Sequence, residues 1–295
     1  MIRRIYQSIH WRGTRALRLV KRQLASPRLT QADILSVLRR LSTPCPPIVM
    51  VHSSLSACGM ISGGPLSVLH ALRDWSQGGT LVLPTHTYCY PSQDADGRIY
   101  DPKHTDSLVG VITNAFWKQP TVVRTLHPSH SLAFEGPESA SLSSGHELSA
   151  TPCGRATPYE RLVELDAAVL MFGATLNAYT LFHTAEDAAS VPYLYKPSPL
   201  ILRIRFSDGS VRPVRMLRQD MEVRRRFADM DNWAEARGLL SRFRFGQGEL
   251  LWIPHSKALH EALLAALKDD PWLLVAPDSR PKDSFRSWSQ GAAQS

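Results

Sequence analysis

The chain has 295 residues, 43% of them hydrophobic and 20% charged, which is enough for one large or two modest globular domains with a sizeable core. No apolar run approaches the length of a membrane span and the N-terminus carries no apolar signal core, so a cytoplasmic protein is expected rather than a membrane-spanning or secreted one. Cys45, Cys58, Cys89 and Cys153 stand far apart with no C-x-x-C pair, which argues against a zinc knuckle and a disulfide framework and predicts reduced thiols.

The net charge of +8 is unevenly placed. Eight Lys and Arg precede the first acid, Asp33, and the 26 that remain equal the 26 Asp and Glu, so the body is neutral and the basic character belongs to an N-terminal arm. Within Met1–Leu24, Ile2, Ile5, Ile9, Leu17, Val20 and Leu24 recur at near-helical spacing among arginines, with a weak point at Gly13. Such a basic amphipathic arm suits an anionic membrane surface, a sister subunit of a homo-oligomer or the chain's own body. Lipid contact would place the protein at the inner membrane surface. Nucleic acid is not expected, because no recognised binding fold accompanies the charge.

Thr30-Gln-Ala-Asp33 has the form of a capping box opening a helix through Leu41, which Pro44, Pro46 and Pro47 end. Ile48 to Val51 reads as a strand running into His52-Ser53-Ser54-Leu55, and Gly63-Gly64 precede a helix from Pro65 to Trp75. A strand, a small polar turn and a Gly-led helix N-terminus make an anion cradle. Thr80 to Pro84 is a second buried strand, leading to Thr85, His86 and Thr87. Cys89 to Thr105, with Asp94, Asp96 and Asp101, reads as a loop over the site, and Ser107 to Trp117 as a helix. Val122 and Val123 then lead into His127-Pro-Ser-His130-Ser131. Loops leaving successive strands at one sheet edge would gather His52, Thr85, His127 and His183 around a single cleft.

Ala167 to Phe172 is an apolar run stopped by Gly173, as a strand buried on both faces would be, and Thr180 to Ala189 is rich in helix formers. His183 and Glu186, three apart, share one face of that helix. A carboxylate that fixes the tautomer of a neighbouring imidazole gives the parts of a general base, although the same spacing also suits two surface residues. Leu200 to Phe206 and Val211 to Met216 form a hairpin turning at Asp208-Gly209. Asp220 to Leu239 reads as a charged helix, Phe243 to Trp252 as strand material, Ser256 to Leu267 as an amphipathic helix, and Pro277 to Ser295 as a polar disordered tail.

Four ordered segments resemble those of the aminoglycoside 3-N-acetyltransferases. They are Val51-His-Ser-Ser-Leu-Ser-Ala-Cys-Gly, Gly79-Thr-Leu-Val-Leu-Pro-Thr, His127-Pro-Ser-His-Ser-Leu-Ala-Phe-Glu-Gly, and the run from His146 through Arg161 to His183-Thr-Ala-Glu186. The resemblance spans about Ile34 to Leu274. It implies a single three-layer α/β/α domain around a mixed sheet at residues 30–276, flanked by the basic helical arm (1–29) and the tail (277–295). It also implies direct N-acetyl transfer from acetyl-CoA to a small-molecule amine, with no metal. His183 would act as base, and Glu186 would orient it or hold the cationic amine. His52, Ser53, Ser54 and Leu55 would bind the coenzyme, with Thr85 and Ser131 as softer assignments, and His146 would either touch the substrate or, beside Pro152, Gly154 and Pro158, shape a turn. The loop after Thr85 and the stretch Phe227 to Trp233 do not match the resistance enzymes, which keeps an amino sugar beside an aminoglycoside as acceptor. Two readings from other classes stand beside this one: a metal-dependent hydrolase using His127, His130, His183 and Glu186, and a non-catalytic coenzyme A-binding protein.

Overall fold

A computed structural model of the chain describes residues 28–89 and 99–281. The expected N-terminal arm lies outside the described residues except for its last two, as do residues 90–98 of the expected loop and residues 282–295 of the expected tail.

The capping box forms as expected. The Thr30 amide donates to Asp33 Oδ2 at 2.8 Å and the Asp33 amide to Thr30 Oγ1 at 3.3 Å, opening α1 (Gln31–Leu41). There follow β1 (Ile48–Ser53), α2 (Gly64–Ser76), β2 (Thr80–Pro84), β3 (Ile99–Tyr100), α3 (Val111–Trp117), β4 (Val123–Arg124) and β5 (Leu132–Glu135). Then come α4 (Ser139–Ser143), α5 (Pro158–Glu164), β6 (Ala168–Phe172), α6 (Phe182–Ala188), β7 (Leu200–Arg205), β8 (Val211–Met216), α7 (Met230–Glu235), β9 (Ser241–Phe245), β10 (Gly248–Ile253) and α8 (Ser256–Asp269).

Seven strands form one sheet in the order β4-β5-β2-β1-β6-β10-β9. β1 pairs in parallel with β2 on one side and β6 on the other, with Val49 opposite both Leu81 and Ala168, while the outer strands pair antiparallel. β2 and β6 are buried along their whole length, which is why they read as unbroken apolar runs. Alternate residues feed two cores. Val49, Val51, Leu81 and Leu170 face α1, α2 and α3, whereas Met50, Val82, Val169 and Met171 face α5, α6, α7 and α8. The result is the expected three-layer α/β/α arrangement. β3, β7 and β8 form a separate small sheet over Cys89, Tyr100 and Ile204. Among the described residues no helix is long and apolar enough to cross a membrane.

Three local expectations are corrected. The helix read from Ser107 begins only at Val111, because the Asn114 side chain bonds both the amide and the carbonyl of Ser107 and Gly110 turns at φ +126°. The charged helix read over Asp220 to Leu239 is helical only at α7, after a 3-10 turn at Phe227–Asp229. The preceding stretch bends at residues 221–223 and then runs against residues 274–276 instead. Arg225 bridges Val275, the Arg226 amide donates to Leu274 O at 2.9 Å and the Ala276 amide to Arg224 O at 2.8 Å, so tertiary pairing takes the backbone groups a helix would have used. The expected tail begins ordered: Pro277–Ser279 makes a 3-10 turn and Arg280 bonds Val275 O and Asp270.

Candidate active site

Because β1, β2 and β6 run parallel, their C-terminal ends open on the same edge of the sheet, and the strand order reverses direction around β1 there. A cleft of about 450 Å³ lies at that edge. One wall comes from the strand ends: His52 and Ser53 from β1, Pro84, His86 and Tyr88 from β2 and its exit, His130 from the approach to β5, and residues 177–180 with His183 after β6. Gln219, Asp220, Met221, Val223, Arg224, Arg225 and Phe227 supply the facing wall.

His183 stands on the first turn of α6 beside that second wall. Its Nδ1 lies 2.6 Å from Glu186 Oε2, one helical turn along. Glu186 is 0% exposed and its other oxygen accepts from Arg225 Nε at 3.1 Å. A neutral imidazole facing a carboxylate carries its proton on the nitrogen that faces it, so Nδ1–H donates and Nε2 is left with its lone pair. The Phe227 ring flanks the imidazole, with centroids 5.4 Å apart.

A group of buried histidines backs the strand-end wall. Burial lowers His52, His86 and His146 to about 3 from the ordinary 6.5, and holds His127 and His130 well below it, so all five are neutral near pH 7. Their protons follow from their partners. Tyr159 OH donates to His130 O at 3.0 Å, so it accepts from His86 Nε2–H at 2.9 Å, and His86 Nδ1 accepts from Tyr88 OH at 3.1 Å. His127 Nδ1 accepts the amide of His130 at 2.9 Å, and His146 Nε2–H donates to Pro152 O at 2.9 Å.

Of the site residues read from the sequence, His52, Ser53 and His183 reach the cleft. Ser54 and Leu55 follow in the adjoining turn, where the Ser54 amide already donates to Phe172 O at 2.8 Å and prolongs the β1–β6 pairing. Thr85 and Ser131 lie behind the wall. Both are 0% exposed, Thr85 Oγ1 and Ser131 Oγ are 2.9 Å apart, and Arg124 Nε donates to Thr85 Oγ1 at 3.1 Å, so they brace β2 against β5. His146 and His127 are likewise wholly buried and stack on each other at 4.2 Å, away from the cleft. The places expected for Thr85 and His127 at the cleft are taken by His86 and His130. Glu186 has both oxygens occupied and no exposed surface, which corrects the expectation that it holds a cationic amine directly.

Sequence reasoning also passed over Tyr159 and Arg225. His86 leaves β2 much as His52 ends β1, and a histidine at the exits of adjacent parallel strands is a usable signal. Arg225 offers none, being one arginine in a run of three. Among the described residues no three His, Cys, Asp or Glu converge as metal ligands.

The sequence matches the profile of the family described as "Aminoglycoside 3-N-acetyltransferase" over residues 50–265. The chain belongs to this family. Its similarity to aminoglycoside N(3)-acetyltransferase IV of Salmonella sp is 30% identity over 250 residues, covering 84% of this chain and 90% of the relative. The apoenzyme structure of aminoglycoside acetyltransferase AAC(3)-IVa superposes with a TM-score of 0.73 at 28% identity, covering 90% of this chain and 98% of that one. A histidine-to-alanine mutant of that enzyme has been solved in complex with a gentamicin; it matches at 29% identity and a TM-score of 0.73, with 85% and 93% coverage. As a member of this 3-N-acetyltransferase family the chain is an N-acetyltransferase, and acetyl-coenzyme A is the family's acyl donor to a small-molecule amine.

Proposed function

We propose that the protein transfers the acetyl group of acetyl-coenzyme A directly to an amine of an aminoglycoside-like or amino-sugar acceptor, with His183 as general base. The observation that carries this reading is the His183–Glu186 contact: a wholly buried carboxylate 2.6 Å from Nδ1 of an imidazole whose other nitrogen has a cleft to face. His183 Nε2 takes a proton from the attacking amine as its nitrogen bonds to the thioester carbonyl carbon. The tetrahedral adduct then collapses, the C–S bond breaks and the imidazolium returns the proton to the departing sulfur. Glu186 keeps Nδ1–H in place and stabilises the charge on the ring in between, without touching the amine.

On this reading the coenzyme arm runs past His52 and Ser53, with the Ser54–Leu55 turn beneath it. Pro84, Val109 and Ala178 give that part of the cleft apolar surface suited to a pantetheine chain. The acceptor lies toward Asp220 and Phe227. Asp229 is paired with Arg226, Asp101 with Arg205, and Asp231 accepts the Leu176 amide; Asp220 is the carboxylate on the cleft wall among the described residues, where its Oδ1 lies 3.1 Å from Lys196 Nζ and accepts the Glu222 amide at 3.0 Å. A single carboxylate suits an acceptor with one amine to anchor, so an amino sugar is expected to be a better substrate than a polycationic aminoglycoside. A thiol-release assay with acetyl-coenzyme A over both classes tests the preference, which efficient turnover of aminoglycosides alone would reverse. His183→Ala tests the base. Turnover should fall by roughly 10²–10⁴-fold with coenzyme A binding retained, and near-normal turnover would remove His183 from the mechanism.

A further inference from the structure

We propose that Arg225 is a positioning residue of the reaction: its guanidinium fixes Glu186 so that Glu186 can fix His183, and it ties that pair to the facing wall of the cleft. The inference rests on His183 as the base and adds a third member that no motif of the family segments contains. A carboxylate with no exposed surface needs charged or hydrogen-bonded partners for both oxygens, since leaving one unpaired in a low-dielectric interior is strongly unfavourable. Glu186 has His183 on Oε2 and Arg225 on Oε1.

The two partners do different things to the proton. With His183 neutral, the charges of Glu186 and Arg225 offset each other and the imidazole is free to accept. Without Arg225, His183 would be the only cation available to a buried carboxylate, and the pair would favour a protonated ring that can no longer act as base. The orientation of Arg225 is itself built in. Its Nη1 donates to the carbonyls of Asp220 at 3.1 Å and Val223 at 2.6 Å, its guanidinium lies 4.7 Å from the Tyr193 ring centre, and its backbone bridges Val275. At 12% side-chain exposure it is unlike its neighbour Arg226, whose pairing with Asp229 sits at 36% and 61% in solvent, where ion pairs contribute little. A planar fork that serves a carboxylate and two carbonyls at once is a task for Arg and not for the point charge of Lys. Residues 220–223 of the cleft wall and the base are thus joined through one side chain.

The test compares Arg225→Ala, Arg225→Lys and His183→Ala in the full chain, using acetyl-coenzyme A and the best acceptor found by the thiol-release panel. For Arg225→Ala, kcat should fall by roughly 10²-fold, the effect of a misplaced catalytic group, while coenzyme A affinity stays unchanged. Added guanidinium or methylguanidinium ion should restore part of that kcat, and none in His183→Ala. Arg225→Lys should remain impaired. The acid limb of kcat against pH should move to higher pH in Arg225→Ala. The other charged or titratable groups on the cleft lining are His52, His86 and His130, neutral through burial, with Tyr88, Tyr179, Asp220 and Arg224, and Tyr193 and Cys153 lie near Glu186; these are the same in both proteins. Full activity of Arg225→Ala beside an inactive His183→Ala would overturn this proposal alone. A loss of kcat that guanidinium does not relieve and that comes with lost coenzyme A binding would reduce Arg225 to a structural residue. Turnover surviving His183→Ala would remove the base and this proposal with it.

Discussion

The two walls of the cleft are built on different physics. The strand-end wall takes its side chains from β1, β2 and β6, elements locked into the middle of a seven-stranded sheet, and His86 and His130 there are buried, neutral and linked through Tyr159 and backbone. The facing wall is a stretch without a strand or helix of its own until Phe227, and it is held by arginines: Arg225 on Glu186, Arg226 on Asp229, Arg224 on Asp278. Met221 is 73% exposed there, whereas His52 is 4% exposed opposite. A wall fixed by a sheet can hold a reacting group with few local cues, while a wall fixed by ion pairs can be altered without unfolding the domain.

Acid should separate the two walls most widely. His52, His86 and His146 keep pKa values of about 3 when folded and the ordinary 6.5 when unfolded. Above pH 6.5 neither state binds the proton and these residues contribute no pH dependence. Between pH 6.5 and 3 the unfolded chain takes up protons that the folded one refuses, so stability falls as pH falls, by about 1.4 kcal/mol per pH unit for each histidine. Urea midpoints measured at pH 7, 6 and 5 should therefore drop steadily. A flat line over that range would mean that the histidines are not buried neutral.

The turn beneath the strand-end wall gives the next contrast. Gly173 ends β6 at φ +66°, and a Cβ there would stand 2.6 Å from Ser54 O and 2.7 Å from Cys58 Sγ. Gly209, in the β7–β8 turn at φ +80°, has nothing within 4 Å. Gly209→Ala meets only the unfavourable backbone conformation, roughly 1 kcal/mol. Gly173→Ala adds displacement of the Ser54–Cys58 turn and should cost roughly 1–3 kcal/mol, with weaker coenzyme A binding as well. Equal losses in thermal unfolding, with coenzyme A affinity intact in both, would mean that this turn does not support the coenzyme.

The same division explains what the sequence could and could not disclose. β1, β2 and β6 are legible because strands buried on both faces must be apolar throughout, and Gly173 is legible as their stop. The His183–Glu186 pair is legible because helix geometry alone brings residues three apart together. Thr85 and His127 mislead, and His146 stays open between two roles, because a polar residue in a motif turn serves equally to contact a ligand or to satisfy buried backbone; here Thr85 braces β2 against β5 while His127 and His146 bond backbone groups behind the wall. Arg225 is invisible because its partner is 39 residues away and its neighbours are also arginines. The apparent helix around it is undone by Leu274 to Ala276, a contact that no local pattern announces.

The smallest expected effects come from two tyrosines on one imidazole. Tyr88 and Tyr159 bond opposite nitrogens of His86, at 3.1 and 2.9 Å, but Tyr88 is 38% exposed at the cleft and Tyr159 is 0% exposed in the core. Removing the Tyr159 hydroxyl leaves His86 Nε2–H and His130 O without their shared partner in a place water does not reach, an arrangement that costs about 1–3 kcal/mol. Removing the Tyr88 hydroxyl exposes His86 Nδ1 to a water that can take its place, so Tyr88→Phe should lose less than about 1 kcal/mol. The Tyr88 ring sits edge-on to His130 at 5.5 Å and its backbone is already in the left-handed region at φ +45°, neither of which depends on the hydroxyl. Tyr88→Phe should therefore keep its unfolding temperature and show at most a few-fold rise in acceptor KM, while Tyr159→Phe lowers the unfolding temperature with KM little changed. The reverse order would place the structural load on the exposed rim and undo the distinction between the two walls.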